Sequence, residues 1–187
     1  DDILKDACEY LGISTGALLR ENQEQKTVDM ICEYAGGGRE PQMEKEQGVP
    51  KEELPFFNGK PYMISSDSMM PEGFARLFAQ KKLTAAVFLP VEVNGHAGMY
   101  LCFCESEKKK KWENADVKFI NDVKRIIQTI LTKRITKNSL ASSYASLEAI
   151  LENVGCAIYV RDPQTGHILY ANEKYQKFFK KTLEELP

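Results

Sequence analysis

The sequence predicts an α+β fold, namely an α/β/α sandwich with a central antiparallel sheet, followed by a long helix and a short hairpin with one more helix. The clearest evidence is a pair of apolar segments, 83–93 and 96–106, joined by Asn94-Gly95, the strongest short-range signal for a hairpin. Both segments are apolar on both faces, so we expect layers on both sides of the sheet. The segment 106–154 contains no proline or glycine, which favours one long helix or two with a break.

The segments before this hairpin supply the rest of the sandwich. The first helix is predicted from apolar residues on one face and from the stop signal of Gly12. The helix nearest the hairpin begins near Pro71 and carries Phe74, Leu77 and Phe78 at helical spacing. In chain order we predict a helix over 2–12, strands over 14–22 and 26–35, a glycine-rich charged loop over 36–50, one or two helical turns over 51–59, a short strand over 60–66 and a helix over 71–82.

The long helix carries two apolar stripes from residue 116 onward. One stripe has heptad spacing and is interrupted by Lys133 and Lys137. The other, formed by Ile120, Ile127 and Leu131, stops near Lys133, so we expect the helix to leave its own domain there. We predict that the heptad stripe is the seam of a homodimer, with Val123, Ile126, Ile130, Leu140, Tyr144, Leu147 and Leu151 as its apolar members. The alternative is a wide buried face on a single core helix.

This order of elements resembles a GAF domain over residues 1–132. The segment 83–123 carries the resemblance: an apolar strand ends in Pro-Val, an Asn-Gly turn follows, and a glycine-initiated apolar strand leads to an aromatic residue before the closing helix. The resemblance implies a small-molecule sensory domain or a dimerisation domain.

Residues 144–186 resemble the opening of a PAS domain. The pattern is a helix, a strand ending in Asp162, a turn, a strand ending in Asn172, and a further helix. We therefore expect three parts: a GAF-like sensory domain over 1–132, a coiled-coil-like linker over 133–153, and the N-terminal part of a PAS-like domain over 154–187. The remaining PAS elements are expected beyond Pro187.

GAF and PAS modules joined by a helical linker resemble the sensory region of a bacterial signalling protein, of the type that ends in a diguanylate cyclase, a cyclic-di-GMP phosphodiesterase or a histidine kinase. The resemblance implies a module that binds a small ligand, dimerises, or does both, to control an output domain. The motifs of those output domains do not occur in this sequence, so we expect no enzymatic activity. The alternatives are a ligand-free dimerisation spacer and, more remotely, a GAF-fold free methionine sulfoxide reductase.

The composition limits which kinds of binding partner and which cellular compartment we expect for this protein. The net charge of −2 gives no field that would favour nucleic acid or an anionic membrane. The longest apolar run, 85–91, is far too short to span a bilayer, so we expect no membrane contact by this segment. The five cysteines are odd in number and lie mostly in apolar runs, which predicts free thiols in a cytoplasmic protein. Because the chain starts at Asp1, we expect it to be part of a longer protein.

The sequence contains no recognisable catalytic or metal-binding constellation. His96 and His167 lie beside predicted turns, without the spacing of a catalytic triad. Cys102 and Cys104 share one face of a strand, but a metal site would need two further ligands. Neither cysteine is followed by histidine, the pattern through which some GAF relatives hold a bilin. We predict no catalytic residue and no metal, and the sequence leaves the cofactor open.

A ligand cavity is expected between the sheet and the segment 56–82. Aromatic residues with a few polar groups are typical of ligand pockets, although the same aromatic residues would equally fill a closed core. The predicted ligand-binding residues are Phe57, Tyr62, Ser65, Ser66, Asp67, Phe74 and Phe78.

Overall fold

The computed structural model describes residues 2–36 and 47–180. The chain divides into two compact units, Asp1–Thr132 and Lys133–Pro187, and each is described by itself. The first unit contains a six-stranded antiparallel sheet, which confirms the predicted α+β class, and the second contains a two-stranded sheet. Of the predicted loop 36–50, residues 37–46 lie outside the described ranges. None of the helices in these ranges has an apolar stretch long enough to cross a bilayer.

The sheet of the first unit has the strand order β3-β2-β1-β6-β5-β4. A short 3₁₀ turn, Lys51–Glu53, follows β3. The helices and strands are α1 (Asp2–Leu11), β1 (Thr15–Asn22), β2 (Thr27–Ala35), β3 (Val49–Pro50), β4 (Tyr62–Ile64), α2 (Phe74–Lys81), β5 (Ala85–Val93), β6 (His96–Glu105) and α3 (Asn114–Asn153).

The hairpin of β5 and β6 turns where the sequence predicts. Asn94 and Gly95 both have positive φ angles, 53° and 79°, as a two-residue type I′ turn requires. Val93 pairs with His96 directly beside the turn, and the ladder continues to Ala85 opposite Glu105. A central antiparallel pair of this length holds the sheet together.

Helices cover both faces of the sheet because its central strands are apolar on both sides. On β5, Val87 and Leu89 face the core that includes α1 and α3, whereas Ala86 and Phe88 face the core that includes α2. We call these the α1/α3 face and the α2 face. Tyr100 lies on the α2 face, where its hydroxyl accepts a 2.6 Å hydrogen bond from a backbone amide of the 55–60 segment.

The long helix is one uninterrupted element, α3. Within the first unit, Ile120, Val123 and Ile127 are buried in the core of the α1/α3 face. Val123, which the sequence assigns to the dimer seam, therefore packs within its own unit. Ile126 and Ile130 are about half exposed, at 50% and 48%.

The second unit consists of the end of α3, the strands β7 (Tyr159–Arg161) and β8 (Ile168–Ala171), and α4 (Glu173–Phe179). β7 and β8 pair antiparallel. The turn between them is stabilised by Asp162, whose Oδ1 accepts a 2.8 Å hydrogen bond from the amide of Gln164. Asn172 caps α4 by accepting a hydrogen bond from the amide of Tyr175.

Candidate functional site

A cavity of about 820 Å³ lies on the α2 face of the first unit. It opens between α2 and the strands β1, β2 and β6, and its volume is within the range of small-molecule sites. Its lining residues are Thr15, Ala17, Leu19, Val28, Met30, Glu33, Ala35, Val49, Leu54, Phe56, Leu77, Gln80, Lys81, Lys82, Leu83, Phe88, Cys102, Cys104 and Ser106.

The cavity has an apolar end and a polar end. Strand register places Leu19 beside Met30, whereas Thr15 lies beside Ala35 and Cys104. Thr15 and Leu19 are about 13 Å apart along β1, given the usual rise per residue of a strand. The apolar end is completed by residues of β3 and of the segment that follows it, and the polar end by the last turn of α2. Over this distance the lining therefore changes from aliphatic and aromatic side chains to charged and hydroxyl groups.

Two stacked aromatic rings border this cavity. Phe56 and Phe88 stack with ring centroids 4.0 Å apart and an interplanar angle of 7°. Both rings are almost fully buried and both line the cavity. The atoms of these rings that border the cavity add to its apolar lining.

The cavity thiols are protonated at neutral pH. Cys102 and Cys104 are two positions apart on β6, so both side chains face the cavity. Burial raises the pKa of the Cys104 thiol to about 12, against a smaller opposing effect of Lys81, and burial raises the pKa of Cys102 well above its ordinary value. A reductase of the free methionine sulfoxide type needs an accessible thiolate with a lowered pKa. These thiols have the opposite character and serve as an apolar wall.

Thiol reactivity should separate the exposed cysteine from the buried ones. We expect iodoacetamide at pH 8 to modify exposed Cys156 readily, and to modify buried Cys8 and Cys102 and half-buried Cys104 only when the fold opens. With a pKa of about 12 at Cys8 and Cys104, only about one thiol in ten thousand is ionised at that pH. Mass spectrometry of native and urea-unfolded protein measures this difference, with Cys156→Ser as the control. Labelling of Cys102 or Cys104 in the native protein at the rate of Cys156 would show that the fold does not protect the cavity thiols.

The predicted aromatic ligand residues lie in the core next to the cavity. Phe57, Phe74 and Phe78 are buried on the α2 face, and Tyr62 packs against them. The Phe74 ring lies 4.7 Å from that of Tyr62. These rings belong to the hydrophobic core of that face, and the described lining of the 820 Å³ cavity includes Phe56 and Phe88.

The predicted polar ligand-binding residues, Ser65, Ser66 and Asp67, connect β4 to the segment before α3. The hydroxyl of Ser65 accepts a 3.1 Å hydrogen bond from the amide of Trp112, and that of Ser66 accepts one of 2.9 Å from the amide of Lys110. Asp67 forms an exposed 3.4 Å ion pair with Lys111. Ser65, Ser66 and Phe78 also border a shallower recess of about 510 Å³. Ligand binding by the predicted set stays a prediction.

The described residues contain no group of three or more histidine, cysteine, aspartate or glutamate side chains that could hold a metal ion. The described lining of the cavity offers lysines, Glu33, hydroxyls and thiols for hydrogen bonding and charge.

Comparison with known proteins identifies the fold. No family model and no curated protein matches the chain. Among solved structures, GAF3 from a Synechocystis sp. PCC6803 protein, in its photoproduct state, has a TM-score of 0.58 at 11% identity and covers 74% of this chain and 94% of its own. The blue-light-absorbing PixJ GAF domain of Thermosynechococcus elongatus has a TM-score of 0.59 at 12% identity, covering 77% and 89%. The chain contains a GAF fold.

A third match broadens the comparison beyond light-absorbing domains. A domain of a Sinorhizobium meliloti 1021 protein, assigned as a two-component sensor histidine kinase, has a TM-score of 0.56 at 11% identity, and the alignment covers 75% of this chain and 93% of that domain. At such low identities the likeness concerns the fold alone. The expected GAF architecture is confirmed, and we call Asp1–Thr132 the GAF unit from here on.

Proposed function

We propose that the GAF unit is the sensory module of a signalling protein, which binds a small ligand in the cavity on its α2 face and acts on an output domain through α3. The observation that supports this most is the cavity itself, about 820 Å³ with a largely apolar lining. The solved GAF domains that resemble the chain include light-absorbing receptors and a protein assigned as a sensor kinase.

A physical route connects the α2 side of the sheet to α3. The segment that leads into α3 is held to β4 by the Trp112 indole, which donates a 3.0 Å hydrogen bond to the carbonyl of Ile64. The Lys110 ammonium lies 3.0 Å from the carboxylate of Asp116 and donates to the carbonyl of Leu11 at 3.1 Å. A ligand that favours one position of this segment would favour one position of the first turn of α3.

A thermal-shift screen with nucleotides, amino acids, haem and organic acids tests ligand binding. A ligand of the cavity should raise the melting temperature with the concentration dependence of mass action. Ala17→Phe, which inserts a ring into the cavity wall, should remove the shift, whereas Ala97→Phe at an exposed position of β6 should keep it. A shift that persists unchanged in Ala17→Phe would contradict the assigned site, and no shift with any compound would favour the ligand-free spacer.

The second part of the proposal is a homodimer formed through α3. In the second unit, Leu140, Tyr144 and Leu147 are 52–65% exposed at heptad spacing. An apolar row of this kind, facing away from its own unit, fits a second copy of the same row. Lys133 and Lys137 interrupt the seam, so they would weaken the pair while restricting its register.

Substitution in the seam should weaken self-association. We expect Leu140→Glu to raise the dimer dissociation constant roughly tenfold or more, because it places a charge in an apolar contact. Ser142→Glu, two positions away on the outer side of the heptad pattern, is the control and should change it little. Lys133→Leu with Lys137→Leu should tighten the dimer. Sedimentation equilibrium measures all three, and a wild-type chain that stays monomeric at high concentration would refute the dimer.

A further inference from the structure

We propose that the ligand of the α2-face cavity is an uncharged compound with a mainly apolar body, which lies on the floor that β1 and β6 form beneath α2. A single hydroxyl or carbonyl group suffices as its polar part and lies at the polar end of the cavity, next to solvent. This class of ligand is named for the same cavity and therefore depends on the proposed function.

Short side chains on the two central strands make room for the ligand. Strand pairing places Ala17 beside Cys102 and Thr15 beside Cys104, and all four residues line the cavity. Leu77 of α2 lines it as well. Side chains this short fill little of the distance between the sheet and the helix, so a ligand body can lie between them.

The floor of the cavity carries no charge. Burial raises the pKa of the Cys104 thiol to about 12 and the pKa of the Cys102 thiol well above its ordinary value, so both thiols keep their protons at neutral pH. Leu19 and Met30, paired across β1 and β2, continue this surface away from the polar end. A charged group over this floor would lose its water without gaining partners, which costs free energy, whereas a hydrocarbon body gains from leaving water.

The charged side chains of the described lining, Glu33, Lys81 and Lys82, all contact solvent. The two lysines are exposed and Glu33 is partly exposed. Burial of part of its chain lowers the pKa of the Lys81 ammonium, and the Glu33 carboxylate opposes that change, so these opposite charges already act on each other. Because ion pairs between exposed groups contribute little in water, an anionic ligand would gain little at this end.

A series of alcohols and one acid are suitable probes, namely 1-hexanol, 1-heptanol, 1-octanol and octanoate. By isothermal titration we expect the affinity of the wild-type protein for the alcohols to rise roughly threefold to fourfold with each added methylene, as burial of apolar surface predicts. 1-Octanol should bind about fivefold or more tightly than octanoate, because the carboxylate loses hydration without gaining a strong partner.

Methyl NMR of the wild-type protein shows where 1-octanol binds. We expect its addition to shift the methyl signals of Leu19 and Leu77, which line the cavity. The methyl signals of Leu4 and Leu11, which are buried on the α1/α3 face, should stay unchanged.

Variants separate the floor of the cavity from its charged end. Ala17→Phe, which fills part of the floor, should weaken 1-octanol binding about tenfold or more, whereas Ala97→Phe at an exposed position of β6 should not. Lys81→Met should bind 1-octanol within about twofold of wild type, because the solvated ammonium takes no part in binding.

The outcomes separate this inference from the proposed function. Tighter binding of octanoate than of 1-octanol, an affinity that does not rise with chain length, or shifts at Leu4 and Leu11 alone would overturn the inference. Failure of the alcohols to bind, while another compound of the thermal-shift screen binds in the cavity, would also overturn the inference alone. Failure of every compound to bind would overturn both.

Discussion

Glu105→Ala is expected to lower the free energy of unfolding of the GAF unit by about 3 kcal/mol. The Glu105 carboxylate is only 1% exposed, and its Oε1 accepts hydrogen bonds from the Ser14 hydroxyl at 2.7 Å and from the amides of Ser106, Glu107 and Lys108 at 2.9, 2.7 and 3.2 Å. Alanine would leave this set of donors without their acceptor at the point where β6 passes into the segment that leads to α3.

Urea unfolding of the two variants Glu105→Ala and Glu92→Ala measures the effect. Glu92 is an exposed residue of β5, so its loss should change the free energy by less than about 0.5 kcal/mol. Equal midpoints for the two variants would show that the carboxylate network contributes little.

The same carboxylate should make stability depend on pH. Burial by itself raises the pKa of Glu105, but the hydrogen bonds from the three amides and from Ser14 outweigh it, so the pKa lies below its ordinary value. A lowered folded-state pKa gives stability that is present above the pKa of the unfolded chain and is lost as the pH falls through the folded-state value. The difference in unfolding free energy between wild type and Glu105→Ala should therefore shrink in acid.

Asn172→Ala is expected to abolish the ordered structure of the second unit. The fully buried side chain of Asn172 accepts from the amides of Ile158 and Tyr175 at 2.9 and 3.0 Å and donates to the carbonyls of Leu151 and Cys156, both at 3.0 Å. It therefore joins the end of α3, the hairpin and α4 through one amide group. Loss of these bonds should cost about 3 kcal/mol or more, which a two-stranded unit cannot absorb.

Amide hydrogen exchange tests this directly. In Asn172→Ala we expect protection to fall at Ile158 and Tyr175, while the strands of the GAF unit keep theirs. Asn153→Ala is the matched control, because that exposed asparagine donates only to the carbonyl of Ala149 one helical turn away. Wild-type protection at Ile158 in Asn172→Ala would contradict the role given to this residue.

The fold was predictable where local chemistry decides it. Asn94-Gly95 determines the turn, and the two-sided apolar strands beside it require helices on both faces, as observed. The uninterrupted helix follows from a segment without proline or glycine. The sequence does not mark Glu105 as buried, because an acidic residue at the end of a strand resembles an ordinary exposed strand end. Its burial depends on Ser14, far away in the chain.

The candidate site was less predictable because its lining is set by strand register. Phe56 and Phe57 are adjacent and both buried, yet only Phe56 lines the cavity in the described structure, through its stacking on Phe88. The meeting of Thr15 with Cys104 depends on the pairing of strands that are distant in sequence. Two features of the sequence point to this site. Cys102 and Cys104 lie two positions apart on one face of a strand, and Lys81 and Lys82 lie at the end of a helix.

We propose that occupancy of the cavity and self-association of α3 are coupled, because a ligand that favours one position of the first turn of α3 would also favour one state of self-association. It is tested most directly by sedimentation equilibrium with and without a saturating concentration of a compound that binds in the cavity. We expect the dimer dissociation constant to change about fivefold or more, the usual scale of coupling between linked sites. A dissociation constant that is the same with the cavity empty and with it saturated would contradict this coupling.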